Sequence, residues 1–307
     1  MLHLAWGEND SLHALKKAFA VLYLAYNRMA LHDGWAIASH IALSALFSFF
    51  PFLILLTALA SFIGSGPLAD DAAGLILEVL PREIGEPVAR EVRSVLTQWR
   101  GDLLTIGAAL ALYFSSNGIE ALRVGLNRAY GVRESRSWLL TRLESIFYVV
   151  IGAFVMLAFA FGVVLGPLIW GTLVRFFPPL AEFTQIVDLV RIGGTAFLIV
   201  AALVITHKFL AAGYRSFFSI LPGVLVTLFL WLLGGFVFGA YLEHFPRAYA
   251  TTYGGLATAM MSLIFLYTLA VIYIFGGEIN GAANAMERAA KKRAQSKATS
   301  YEGGWFS

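Results

Sequence analysis

Six stretches of the chain contain no Asp, Glu, Lys or Arg: 34–69, 103–119, 145–174, 192–207, 216–242 and 248–277. Their lengths are 36, 17, 30, 16, 27 and 30 residues. A membrane-spanning helix needs about 20 mostly apolar residues, with about 17 at the short end. Four stretches exceed that length. The two short ones reach it once flanking residues are added; Leu189, Val190 and Arg191 extend the fourth, the arginine reaching back to the interface. The pattern predicts an all-α polytopic membrane protein with six transmembrane helices over 36–285.

Outside the spans, Leu12, Leu15, Phe19, Leu22, Tyr26 and Met29 recur at three- and four-residue intervals, with Lys16, Lys17, Asn27 and Arg28 on other faces. This predicts an amphipathic helix within a cytoplasmic segment 1–35, with Asn9, Asp10 and Ser11 as cap candidates. It either lies in the headgroup layer or packs on the protein's own spans. The outer loop, 64–102, predicts two short helices: Leu75, Ile76, Val79 and Leu80 up to Pro81, then Val88, Val92, Val95 and Trp99 after Pro87. A helical hairpin covering the outer face follows. The tail, 286–307, with Lys291, Lys292 and Arg293, reads as a basic, mostly disordered cytoplasmic extension near anionic lipid. Pro51 and Pro222 interrupt spans one and five at different depths, so they do not mark an internal repeat.

Composition agrees. Of 307 residues, 59% are apolar or aromatic and 13% charged, against about 25% charged in soluble domains. That excludes an ordinary soluble globular protein. A net charge of +3 is no footprint for nucleic acid, so no nucleic-acid partner is expected. The absence of Cys removes disulfides and thiolate chemistry. Residues 1–10 carry Glu8 and Asp10 and no cation, unlike a secretory signal peptide, so the first span is expected to act as an uncleaved insertion signal. With six spans, 15 Lys and Arg fall on the side of the termini and 7 on the other. The positive-inside bias places both termini in the cytoplasm.

Polar residues inside spans are the candidates for chemistry. In span one, His40, Ser44 and Ser48 recur every four residues and lead to Pro51. They form either a polar seam lining a cavity or an interhelical hydrogen-bonding face. Span two turns polar from Tyr113 to Gly118, and Asn117, Glu120, Arg123, Asn127 and Arg128 follow at helical spacing. Glu278 and Asn280 close the last span. Glu120, Glu144 and Glu278 fall at similar depth, with Arg123, Arg128 and Arg142 as natural partners. This is either a salt-bridged collar or a substrate or proton site. The pairs Gly162/Gly166, Gly235/Gly239 and Gly277/Gly281 are spaced for close helix packing. No phosphate loop, dinucleotide fingerprint, zinc-protease helix or nucleophile elbow is present. The six His are scattered without metal-ligand spacing. Neither a metal nor a cofactor is expected.

Together, Ser44–Phe52 in span one, Ser116-Asn117-Gly118 and 126–132 at span two, and Leu221-Pro222-Gly223 with Leu230-Trp231-Leu232 in span five resemble the YihY/BrkB family of bacterial inner-membrane proteins, once labelled ribonuclease BN. Thr252-Tyr253-Gly254-Gly255-Leu256 and Gly277-Glu278-Ile279-Asn280 at the two ends of span six complete the match. His40 departs from the family pattern, so no role is carried onto it. The resemblance implies six spans and a plasma-membrane location but no settled activity. The nuclease label reads as a misassignment, family names also point to serum resistance, and some relatives are associated with envelope lipid movement. The resulting expectation is a transporter or lipid-handling protein, with membrane lipids as partners and no enzymatic activity. Asn117, Glu120, Arg123 and Glu278 are expected to line one water-filled pocket open to the cytoplasmic leaflet. The alternatives are a membrane-embedded enzyme and a scaffold docking an envelope partner through the outer loop.

Overall fold

A computed structural model describes residues 2–63, 106–244 and 257–303, together with positions 70, 73, 74, 77, 86, 89, 90 and 93. Every regular element among the described residues is helical. The chain runs through α1 (Leu2–Leu31), α2 (Gly34–Ile63), α3 (Ile106–Tyr130) and α4 (Trp138–Phe176). A 3₁₀ turn (Pro178–Phe183) then leads into α5 (Thr184–Ile205), which widens into a π-helical turn (Thr206–Leu210). α6 (Phe217–His244) and α7 (Ala257–Gly303) complete the fold.

Local chemistry sets the breaks. α1 stops at Asp33, whose φ of 56° is one of the few left-handed conformations a short polar side chain tolerates. Gly34 follows because a Cβ there would lie 2.9 Å from the Met29 carbonyl oxygen. α3 ends in a Schellman motif: Gly131 takes φ 65°, its N–H donates to the Arg128 carbonyl (2.9 Å), and Val132 N–H donates to Asn127 (2.9 Å). Ser137 caps α4 by accepting from Leu140 N–H.

Among the described residues, five stretches are long and apolar enough to cross a membrane: Gly34–Leu56, Trp138–Phe159, Pro178–Leu210, Phe217–Tyr241 and Ala259–Arg293. They coincide with five of the six charge-free runs. Of the remaining run, 103–119, the described residues 106–119 fold within α3. At 25 residues that helix is about 37 Å long, enough to cross, but Ser115, Ser116, Asn117, Glu120 and Arg123 make its second half polar. The apolar helices turn large side chains outward, among them Phe197, Phe229, Leu232 and Phe236. A surface of this kind requires lipid rather than water.

The chain forms two compact units: Met1–Leu43 with Ala121–Arg136 and Val200–Ser307, and Ser44–Glu120 with Ser137–Ile199. In the first, Ala25 of α1 packs with Ile279 and Ala282 of α7, flanked by Val21, Leu24, Val226 and Phe275. In the second, Leu55, Val149 and Ala153 form the core with Phe52, Leu56, Leu59, Leu112 and Ile119 around them.

Several expectations change. The stripe on α1 splits, because Met29 is buried whereas Leu15, Phe19, Leu22 and Tyr26 are exposed. The packed face is the one that carries Val21, Leu24 and Ala25. The tail is not disordered up to Gly303 but continues α7, because Ala, Glu, Lys and Arg are good helix formers and Glu287 pairs with Lys291 one turn on, at 2.7 Å. Of the glycine pairs, Gly277 and Gly281 meet Ala129 closely, whereas Gly235 and Gly239 face open space. The Gly162/Gly166 contacts lie outside the described side chains. Most of the outer loop also lies outside the described residues; its eight described positions are helical.

Candidate functional site

In the first unit, the polar residues of α3 and α7 meet α1 and the turn that follows α5. Glu278 on α7 has no solvent exposure. Its carboxylate accepts from Arg28 Nε at 2.9 Å and contacts His32 Nδ1 at 2.6 Å. Arg28 lies on the face of α1 that Ala25 begins, and His32 follows four residues on in the turn after the helix, so the segment that seats its small residues on α7 also delivers two basic groups. Arg28 Nη2 donates to the Ala129 carbonyl at 2.8 Å. Gly281 makes that approach possible, since a Cβ there would sit 2.8 Å from Arg28 Nη2. Arg128, by contrast, is an exposed residue that donates to the His32 carbonyl and to Asp33.

A second arm runs through Asn280. Pro222 has no N–H and breaks the α6 ladder. The next donor, Gly223 N–H, goes to Asn280 Oδ1 at 2.7 Å. Glycine is required at that position, because a Cβ would collide with the Gly276 carbonyl. With its oxygen engaged, Asn280 turns its NH₂ to the Tyr130 hydroxyl (3.1 Å), which lies 2.8 Å from His207 Nδ1. An obligate backbone donor thus fixes the amide: the Tyr130 hydroxyl accepts from Asn280 and stands in hydrogen-bond contact with His207 Nδ1. His207 is fully buried in the π-helical turn, and its Nε2 has no partner among the described residues.

Beyond that turn, the backbone of 210–213 leaves the helix, and arginines satisfy its carbonyls. Arg123, 2% exposed, donates Nε to Leu210 at 3.3 Å; Arg136 donates to the same oxygen at 3.0 Å. Arg215 donates to Ala211 (3.1 Å), Ala212 (2.6 Å) and Gly213 (3.3 Å), and stacks 4.1 Å from the centre of the Tyr130 ring. Asn127 accepts from Ala212 N–H (2.7 Å) and donates to Glu134 (3.1 Å). Two hydrogen-bonded contacts of 2.8 Å to Arg136 hold the Glu134 carboxyl well below its ordinary range, at about 2, with the backbone N–H of Arg136 and the Asn127 amide adding to the effect. Burial lowers the Arg215 value, and nearby Arg136 pushes it the same way.

In the second unit, the other sequence candidates gather at α3 and α4. Arg142 donates to Ser116 (2.8 Å) and Asn117 (2.9 Å) and lies 4.4 Å from the Tyr113 ring centre. Ser145 donates to Glu120 at 2.9 Å. Ser48 donates to the Phe114 carbonyl at 3.2 Å and touches Gly118, so it glues two helices together. Ser44 is half-buried. His40 is exposed and makes no hydrogen bond with any described residue.

The structure therefore gathers Arg123, Asn127, Arg128, Glu278 and Asn280 in one unit, and Ser48, Asn117 and Glu120 in the other. The partners expected for Glu278 on α3 and α4 are replaced by Arg28 of α1 and His32 of the turn after it. Sequence reasoning also missed Tyr130, Arg136, His207 and Arg215. A basic pair at 28 and 32, four residues apart where α1 ends, and a histidine ending a charge-free run, were the available signals. No group of three or more His, Asp or Glu among the described residues is placed to hold a metal ion.

A family model described as Virulence factor BrkB matches residues 25–302. The putative ribonuclease-like protein YfkH of Bacillus subtilis (strain 168) is 29% identical over 257 residues, covering 83% of this chain and 92% of its own length. No solved structure matches the chain.

Proposed function

The chain belongs to the Virulence factor BrkB family, and we propose that it is a transport protein handling lipid in the bacterial inner membrane, with both termini cytoplasmic. One observation carries this reading: a carboxylate without solvent exposure, Glu278 on a membrane helix, is held by Arg28 of the helix that precedes the spans and by His32 of the turn after it. Ionisable groups inside spans are expensive and mark sites of substrate or proton movement. The helix that holds the carboxylate also exposes Leu15, Phe19, Leu22 and Tyr26. An apolar stripe of that kind rests in the headgroup layer, so the state of the surrounding lipid is coupled mechanically to the ion pairs.

The test is movement of a fluorescent phospholipid between leaflets of liposomes containing the purified protein. Glu278→Gln and His32→Gln should each slow it about tenfold, equivalent to ~1.4 kcal/mol in the barrier, while keeping the melting temperature near that of the wild type. Wild-type protein that moves no lipid, or variants that match it, would sink the reading. The printed name of the Bacillus relative favours a second reading, a ribonuclease-like enzyme. We expect no RNA cleavage by the pure protein. Cleavage that disappears in Glu120→Gln or Glu278→Gln would establish that alternative instead.

A further inference from the structure

Between the apolar stretches Pro178–Leu210 and Phe217–Tyr241, the connecting turn borders a cleft of about 150 Å³. Ser135, Arg136, Lys208, Phe209, Gly213 and Tyr214 line it. The Lys208 ammonium, 5.1 Å from the Phe209 ring centre, forms no ion pair with any described residue. Arg136 also lines the cleft, with Arg215 close enough to feel its charge. The acidic group bonded to this lining among the described residues, Glu134, is already taken by Arg136 and Asn127. Gly213, at φ 88°, turns the chain so that the N–H groups of Gly213 and Tyr214 bond to no described residue. Residues carrying a hydroxyl, an ammonium without an ion pair, a guanidinium held by Glu134 and two backbone amides without a described partner thus line a space with room for a few waters but far below that of a drug-sized ligand.

We propose that this cleft binds a phosphate group, either the phosphodiester of an acidic phospholipid or the free ion. The turn links two membrane helices, so it lies at headgroup depth. The aromatic side chains beside it, Phe209, Tyr214, Phe217 and Phe218, are exposed there, as in the belts that anchor proteins at membrane interfaces. Arg123 is buried and bonded to the Leu210 carbonyl, so Lys208 is the cation available to the cleft. Binding here does not require that the protein move lipid.

The experiment uses the full chain in nanodiscs of phosphatidylglycerol and phosphatidylcholine, with retained lipid identified by native mass spectrometry after transfer to detergent. A parallel arm titrates inorganic phosphate into delipidated protein by calorimetry. Lys208→Gln should reduce phosphatidylglycerol retention about five-fold, the weight of one basic residue near an anionic surface. Lys208→Arg and the tail variant Lys292→Gln should keep it. Ser135→Ala probes a second lining residue and should weaken the same binding if Lys208→Gln lowers the melting temperature. Phosphate binding that needs Lys208, without a preference for phosphatidylglycerol, identifies the free ion as the source. Retention equal in wild type, Lys208→Gln and Ser135→Ala, with no Lys208-dependent phosphate binding, overturns the proposal.

Discussion

Removing Arg28 leaves the Glu278 carboxylate buried with His32 as its remaining hydrogen-bond partner. A buried ion pair stabilises little relative to apolar packing, but breaking one side of it is severe, about 3–5 kcal/mol. Because Arg28 is one-fifth exposed, the lower end applies. Arg28→Ala should therefore lower stability by about 3 kcal/mol, read as a fall in melting temperature in detergent, and Glu278→Gln in the same background should recover part of it. A double variant worse than the single one would show that the carboxylate is not the residue left unsatisfied. Glu134 sets a different limit. Its folded value of about 2 lies below the ordinary 4.5, so its contribution is complete above about 4.5 and is lost as pH falls through about 2. The melting-temperature gap between wild type and Glu134→Gln should be constant from neutral pH to about 5 and close between 4.5 and 2. At this scale the sequence showed Glu278, Asn280, Arg123 and Asn127, each a polar group at the edge of a charge-free run. It could not show their partners. Arg28 and His32 lie 250 and 246 positions from Glu278, and no local periodicity encodes such a pairing.

Helix contacts in the membrane are decided by which glycines face a neighbour. Gly276 on α7 lies against α6, where a Cβ would meet Thr227 Oγ1 and come within 2.8 Å of the Gly223 carbonyl. Gly235, with the same side chain and a regular helical position, meets nothing. Gly276→Ala should destabilise by about 1–3 kcal/mol through overpacking. Gly235→Ala should be neutral or stabilising, by up to about 1 kcal/mol, from helix propensity. Thermal melts of the two variants check the contrast, and equal effects would refute the assigned faces. Spacing alone marked Gly235/Gly239 and Gly277/Gly281 alike, because a four-residue interval says that two glycines share a face and not what that face meets. The tail misled for a related reason. Its Ser, Thr and Gly beyond Arg293 suggested disorder, yet Ala289, Ala290 and the Glu287–Lys291 pair carry α7 onward.

At the scale of the whole molecule, the crossing number turns on α3. Five apolar stretches alone would place the two termini on opposite sides of the membrane. The positive-inside bias, counted over six spans as 15 cations against 7, would place them on the same side. The two statements agree only if α3 also crosses, its first half in lipid and its polar second half at the cytoplasmic boundary. Its length of 25 residues permits this, and its polar residues are not bare: Arg142 binds Ser116 and Asn117, and Ser145 binds Glu120. Paired in this way, they avoid most of the penalty of an unpartnered charge at membrane depth. Single cysteines at positions 17, 135 and 295 of a chain that has none of its own should all react only after the cytoplasmic face is opened, whereas one at position 85 should react from outside. If α3 lies along the surface instead, 85 and 135 will share a side and 17 and 295 will fall on opposite sides. That result would overturn the six-crossing arrangement and, with it, the cytoplasmic placement of the phosphate cleft and of the tail.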